Sequence, residues 1–230
     1  MSKWKGRGEA IFLKLPRFGS FLYDHLMSGS PMQLHFAEIA RELANLLPSG
    51  RLLDVGTGPG RLLQAIHGFN PAIQLYGLDI SASMLRLAQK NLSGMGVNLQ
   101  QGNIRHTDYP ADYFDLVTCT GSFYLWEQPE RGLDEIYRIL KPGQSACLFE
   151  CDRESDRQAF QAALQKNLRQ LNRISRIFGP LALRQALDAA YSKNEIGNII
   201  KRTSFAHSYS LDEITIGGLP IWMRITLRKS

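Results

Sequence analysis

From residue 51 onward, short unbroken apolar runs alternate with stretches in which apolar residues recur every three or four positions. The runs at 51–55 (RLLDV), 74–79 (QLYGLD), 97–101 (VNLQQ), 114–119 (FDLVTC) and 144–150 (QSACLFE) predict strands. Helical periodicity fills the intervals 60–68, 82–93 and 129–140. The last of these opens with Pro129 at a first helical position, where a missing N–H removes no bond, and stops before Lys141-Pro142-Gly143. Strands separated by helices need right-handed crossovers, which give a parallel sheet covered on both faces. Two further strand-like segments, FAHSYSL at 205–211 and IWMRITLRK at 221–229, flank Gly217-Gly218 and predict an antiparallel pair ending the sheet. The expected fold class is therefore α/β: a doubly wound, mostly parallel seven-stranded sheet with an antiparallel C-terminal strand.

Two helical regions stand outside this alternation. Residues 9–47 carry helical patterns with the aromatics Phe12, Phe18, Phe21 and Tyr23. Residues 155–190 set Phe160, Leu164, Leu168, Leu171, Ile174 and Phe178 on one side. Lys166, Arg169, Arg173 and Arg176 form a basic stripe on the other, with Gly179-Pro180 as an interruption. Ser192, followed three residues later by Glu195, is the arrangement of a capping box and predicts another helix start. No repeat or low-complexity linker divides the chain. A single domain is expected over 1–230, with 1–49 and 151–203 as helical lids, 50–150 as the cofactor-binding core and 204–230 as the strand pair.

Composition narrows this picture. A 230-residue chain that is 44% hydrophobic can bury an ordinary core. The first twenty residues are too interrupted by charge for a signal peptide, no run approaches membrane-spanning length, and a cytoplasmic location is expected. Cys119, Cys147 and Cys151 sit in apolar contexts that suit reduced thiols, and without neighbouring His or Cys partners no metal site is expected. The net charge of +6 is uneven. Residues 1–20 hold five basic and one acidic side chain, 21–150 nine and thirteen, and 151–203 ten and five. Such an imbalance suits a solvated surface, an anionic substrate, a nucleic acid or an acidic membrane surface.

The candidate chemistry begins at 51–63, RLLDVGTGPGRLL. A glycine-rich turn at the end of a first parallel strand lets backbone approach a ligand where side chains would block it. The spacing is Gly56-x-Gly58-x-Gly60 with Asp54 ahead, and Arg61 stands where a dinucleotide fingerprint needs its last glycine. Asp79 closes the second strand nineteen residues after Gly60, where its two oxygens can accept both hydroxyls of a ribose or cap the helix that follows.

DVGTGPG, GLDISASML, FDLV and LKPG, in this order and at the spacing of successive βα units, resemble the class I S-adenosylmethionine-dependent methyltransferases, a Rossmann-like family. The likeness is to the small-molecule branch typified by ubiquinone and menaquinone biosynthesis, and it covers about residues 50–150. It implies that Asp54 and the backbone of Gly56, Thr57, Gly58 and Gly60 surround the methionine end of the cofactor, S-adenosyl-L-methionine. Asp79 would take the ribose diol, and Ile80 and Met84 would cover one adenine face. Gly102, Asn103 and Ile104 would stand at the adenine edge, with Asn where the family usually has an aspartate. Thr120 and Gly121 would offer backbone groups to the methionine amine and line the reactive side.

Methyl transfer from a sulfonium is an in-line displacement that depends on alignment and exclusion of water, and a base is needed only where the nucleophile must lose a proton. Candidates for that role are Glu150 and Asp152, with His207 and His25 further off, each with an ordinary structural reading as well; Tyr23-Asp24 resembles the Tyr-Asp pair many of these enzymes place over the cofactor, which makes Tyr23 a further catalytic candidate. Phe123, Tyr124 and Trp126 follow the fourth strand and either line the acceptor site or pack the core. The expected partner is a small molecule, lipophilic or anionic, with peripheral membrane contact through the basic stripe left open. Two alternatives stay open. One is RNA or protein methylation, against which TGSFYLW lacks both Asn/Asp-Pro-Pro-aromatic and Pro-Cys motifs; the other is a non-catalytic Rossmann-like nucleotide-binding module.

Overall fold

The computed structural model describes residues 30–168, 184 and 186–230. Seven strands, β1 (Gly50–Val55), β2 (Ile73–Asp79), β3 (Asn98–Gln101), β4 (Phe114–Thr120), β5 (Leu140–Cys151), β6 (Tyr209–Ile216) and β7 (Leu219–Arg228), form one sheet in the order β3-β2-β1-β4-β5-β7-β6. The pairs from β3 to β5 are parallel, and β7 runs antiparallel to both β5 and β6. The chain winds outward from β1 to β3, then returns to place β4 against the other side of β1. Beside β1 the connections thus leave in opposite directions, and this opens a crevice at the carboxyl ends of β1 and β4.

Six described helices cover the sheet: α1 (Ser30–Leu46), α2 (Arg61–Phe69), α3 (Ala82–Asn91), α4 (Pro129–Ile139), α5 (Arg157–Leu168) and α6 (Lys193–Ile200). Alternate strand residues feed two cores. Leu52, Leu75, Leu116 and Phe149 pack with α1, α2, α3 and α5, while Leu53, Leu78, Val117 and Leu148 pack with α4 and α6. Burial on both faces is why the central strands read as apolar runs rather than as alternations. The predicted capping box is present: Glu195 N–H donates to Ser192 Oγ (3.3 Å) and Ser192 N–H to Glu195 Oε2 (2.9 Å).

The terminal pair departs from the expected bounds. Residues 205–208 are turns, and the strand runs through Asp212 and Glu213, whose charges break the apolar pattern because β6 is the sheet edge. Of the basic stripe, Lys166 is exposed on α5, whereas Arg169, Arg173 and Arg176 lie outside the described residues. Among the described residues no helix is long and apolar enough to cross a membrane.

Helix α4 carries a glycine for a packing reason. A Cβ on Gly132 would stand 2.6 Å from Trp126 Cε3 and 3.2 Å from Ile104 Cγ2. Gly132→Ala therefore sets a helix-propensity gain of up to about 1 kcal/mol against overpacking of about 1–3 kcal/mol. A lower urea midpoint at unchanged m-value is the expected outcome.

Candidate active site

At the carboxyl edge of the sheet the crevice has a volume of about 360 Å³ including its open mouth. Asp54, Gly56, Thr57 and Gly58 line it from the β1 loop, Thr120 from the end of β4, and Phe36 from α1; Pro59, Arg61 and Leu62 close it at the start of α2. The three loop glycines serve two purposes. A Cβ on Gly56 would overlap the Ser122 hydroxyl, and one on Gly60 would meet Leu92 at 2.6 Å. At these two positions packing requires glycine; Gly56 lines the crevice and Gly60 stands just behind it, where α2 starts. All three are left-handed, and Gly58 (φ 53°) differs in that a Cβ there would point into open space with no neighbour nearer than 4.0 Å. It is the position where added side-chain bulk would occupy the crevice itself.

Most of the loop amides are committed. Gly56 and Thr57 N–H donate to Leu78 O, Gly60 N–H donates to Thr57 O, and Gly58 N–H donates to Asp79 Oδ2 at 2.7 Å. Asp79 Oδ1 accepts from Ser81 N–H at 2.8 Å, and the Ser81 hydroxyl caps α3 by accepting from Met84 N–H. The cap is thus supplied by serine, and Asp79 ties the β1 loop to the end of β2. Each of its oxygens retains a lone pair for another donor.

Asp54 is 2% exposed and has no salt-bridge partner among the described residues. Burial pushes its carboxyl up to about 7, the neighbouring Thr57 hydroxyl opposing the rise and the charge of Asp79 adding to it. Burial raises Asp79 as well, against its two backbone hydrogen bonds. The Thr57 and Thr120 hydroxyls are buried and satisfy hydrogen-bond geometry with no group among the described residues. Together these groups make a desolvated, electron-rich lining suited to a cation carrying N–H donors.

Glu150, at the end of β5, is also 2% exposed. Its Oε1 accepts from Ser122 N–H (2.9 Å) and Phe123 N–H (2.7 Å), and Ser122 Oγ donates to Val55 O (3.2 Å). Glu150 thus fixes the β4 loop, and that loop fixes the β1 loop. Burial pushes Glu150 up to about 8 despite these amides. Ser122 and Phe36 were missed from sequence: one is a lone serine in a loop, the other an aromatic inside an ordinary helical pattern.

The structure separates other expected residues from the site. Ile80 is half-buried beside Asp79, and its carbonyl accepts from Gln101 Nε2, but Met84 (1% exposed) and Ile104 present almost no surface and back the wall from inside. Gly102 N–H donates to Asp79 O, so Gly102 and half-buried Asn103 do stand at this edge. Gly121 N–H is spent on Phe149 O. Phe123 and Trp126 are core residues, packed edge to face at 5.0 Å. His207 is exposed and precedes Tyr209, which pairs with Leu227 and so sits level with Ala146 at the opposite, amino edge of the sheet. Asp152 Oδ1 accepts from Glu154 N–H in its own turn. Tyr23 and His25 lie outside the described residues.

Residues 53–148 match the family model of the methyltransferase domain. This stretch is a methyltransferase domain. The uncharacterized methyltransferase YdaC of Bacillus subtilis is 36% identical over 105 residues, 46% of this chain and 58% of that protein. The chloroplastic 2-methyl-6-phytyl-1,4-hydroquinone methyltransferase 1 of Oryza sativa is 36% identical over 136 residues, 58% of this chain and 41% of that protein. The chain thus spans about half the length of the relatives it matches. Among solved structures, the plantazolicin methyltransferase BpumL, determined with S-adenosylhomocysteine and a desmethyl analogue, superposes with a TM-score of 0.71 at 14% identity, covering 98% of this chain and 95% of that one. A SAM-dependent methyltransferase from Aquifex aeolicus gives 0.65 at 16% identity, covering 93% and 100%. At such identities the likeness is one of fold alone.

The raised Glu150 carboxyl fixes a sign. Folded chains hold a proton there that unfolded chains release above about pH 4.5, so the associated stability is complete below that pH and is lost as pH rises to about 8. Glu150→Gln keeps an acceptor for both amides without ionising. Its melting temperature relative to wild type should climb between pH 5 and 8.5, whereas Glu150→Ala should lower stability throughout by about 1–3 kcal/mol per unpaired amide.

Proposed function

We propose that this chain transfers the methyl group of S-adenosyl-L-methionine to a small-molecule acceptor. The observation that carries the reading is the crevice lining: a buried Asp54 that faces no cation among the described residues, the buried Thr57 and Thr120 hydroxyls and an open backbone position at Gly58. Such a lining suits a ligand that brings positive charge and N–H donors and needs close backbone approach. The donor's α-ammonium and sulfonium answer to that description, and a nicotinamide dinucleotide, whose pyrophosphate is anionic, does not.

In this reading Asp54, with Thr57 and Thr120, receives the methionine end, and its carboxylate becomes charged as the cation enters. Asp79 accepts the ribose hydroxyls while keeping its bond to Gly58, so sugar binding and loop conformation are coupled. Ile80, Gly102 and Asn103 border the adenine. Bound there, the donor supplies a methyl on a good leaving group. The protein's part is then alignment and exclusion of water, worth up to about 7–11 kcal/mol in favourable cases. Phe36 and Leu62 give the crevice an apolar side, and the likeness to a hydroquinone methyltransferase supports a small, largely apolar acceptor. No general base is assigned: Glu150 is committed to the β4 loop, and His207 is on the other edge.

Two substitutions test the reading by calorimetry with S-adenosylhomocysteine. Asp79→Ala should weaken binding by at least about 1–3 kcal/mol, since it loses the ribose bonds and frees Gly58. Gly58→Val should abolish binding while leaving the fold intact by circular dichroism; normal affinity in that variant would reduce the glycine loop to a mere turn.

A further inference from the structure

We propose that Glu135, on helix α4, is a positioning residue for the adenine base: through Thr107 it holds the loop after β3, and with it Asn103, in place at the carboxyl edge of the sheet beside Asp79. The inference rests on the functional reading above. Between Gly102 and Tyr113 the chain crosses from the carboxyl edge of the sheet, where Gly102 N–H donates to Asp79 O, to the amino edge, where Tyr113 N–H donates to Ile139 O. The crossing contains no helix and no ladder beyond an isolated Asn103–His106 bridge. Its course is set by one stripe of α4 at three-residue spacing. Gly132 leaves room for Ile104 and Trp126. Glu135 Oε1 accepts from Thr107 N–H (2.8 Å) and Thr107 Oγ1–H (2.7 Å). Arg138 donates from Nη2 to Tyr109 O (2.8 Å) and grips Glu135 through both Nε and Nη2.

The carboxylate at this point behaves oppositely to the three at the sheet edge. Burial acts to raise it, but the bonds from Arg138 and Thr107 outweigh burial and hold it at about 2, so it stays charged at every physiological pH. The link to the sheet edge, where Gly102 N–H donates to Asp79 O, is short. Asn103 Oδ1 accepts from Arg105 N–H (3.0 Å) and Asn103 O from His106 N–H (3.1 Å), so the side chain is bound into the turn that ends at Thr107. With its oxygen turned to Arg105, the Asn103 amide can donate to a ring nitrogen of adenine. Glu135 itself does not line the crevice, and its effect has to pass through Thr107.

The test compares calorimetric affinities for S-adenosylhomocysteine and S-inosylhomocysteine, in which the base exchanges its amine for an oxo group and its ring acceptor for a donor. Wild type should prefer the adenosyl ligand by about tenfold, the worth of one buried hydrogen bond. In Glu135→Ala the preference should fall below about threefold. In Glu135→Gln, which keeps an oxygen for Thr107, it should largely return. Asp79→Ala should weaken both ligands and leave their ratio intact. A folded Glu135→Ala with the wild-type ratio overturns the inference while leaving the functional reading standing; failure of wild type to bind either ligand overturns both. Should Glu135→Ala not fold, Thr107→Val reads the same ratio, and an unchanged value there also overturns the inference.

Discussion

A carboxylate taken out of water without a cation to face it is among the costliest things a folded chain can hold, and Asp54 is held that way. It sits at the carboxyl end of the central strand, between buried Asp79 one strand away and the unpartnered hydroxyls of Thr57 and Thr120. The protein responds by letting the group keep its proton up to about pH 7. That condition is relieved only by something that brings positive charge into the crevice. The rest of the architecture is arranged around this buried carboxyl, which faces no cation among the described residues.

The surrounding ties explain how the arrangement persists. Ser122 bonds to Val55 O and fills the space that glycine leaves at position 56, and Glu150 holds Ser122 from below. Asp79 bonds to Gly58, and α1 contributes Phe36 over the opening. Helix α1 is in turn seated on the terminal hairpin. Glu38 accepts from Gly217 N–H, Glu42 pairs with Arg224, and His35 packs on Trp222 at 5.5 Å. The antiparallel strand pair therefore supports the crevice from the side opposite β2 and β3. Asp54 and Asp79, at the ends of β1 and β2, carry raised pKa values, as does Glu150 behind the β4 loop, while Glu135, which faces Arg138, is paired and fully ionised.

The sheet was legible because its central strands are buried on both faces, which writes them as apolar runs punctuated by glycine, proline and capping residues. The DVGTGPG loop and Asp79 were legible as a set of spacings. What sequence could not supply was direction. Nothing in TGSFYLW shows that Phe123 and Trp126 turn inward while Ser122 turns to the β1 loop, and nothing in three alternating glycines shows that only Gly58 faces open space. Nothing in the sequence sets Glu135 and Arg138 apart from a solvated helix face, since the partner that makes them structural, Thr107, is 28 residues away from Glu135. Asp212 and Glu213 concealed an edge strand for the same reason that edge strands carry charge.

The central claim is that Asp54 gives up its proton to receive a cationic ligand, and proton counting tests it most directly. Titrating S-adenosylmethionine into the protein near pH 6.5, in buffers of differing ionisation enthalpy, should reveal net proton release on binding that disappears in Asp54→Asn. Binding with no proton release, or with the same release in Asp54→Asn, would contradict the account.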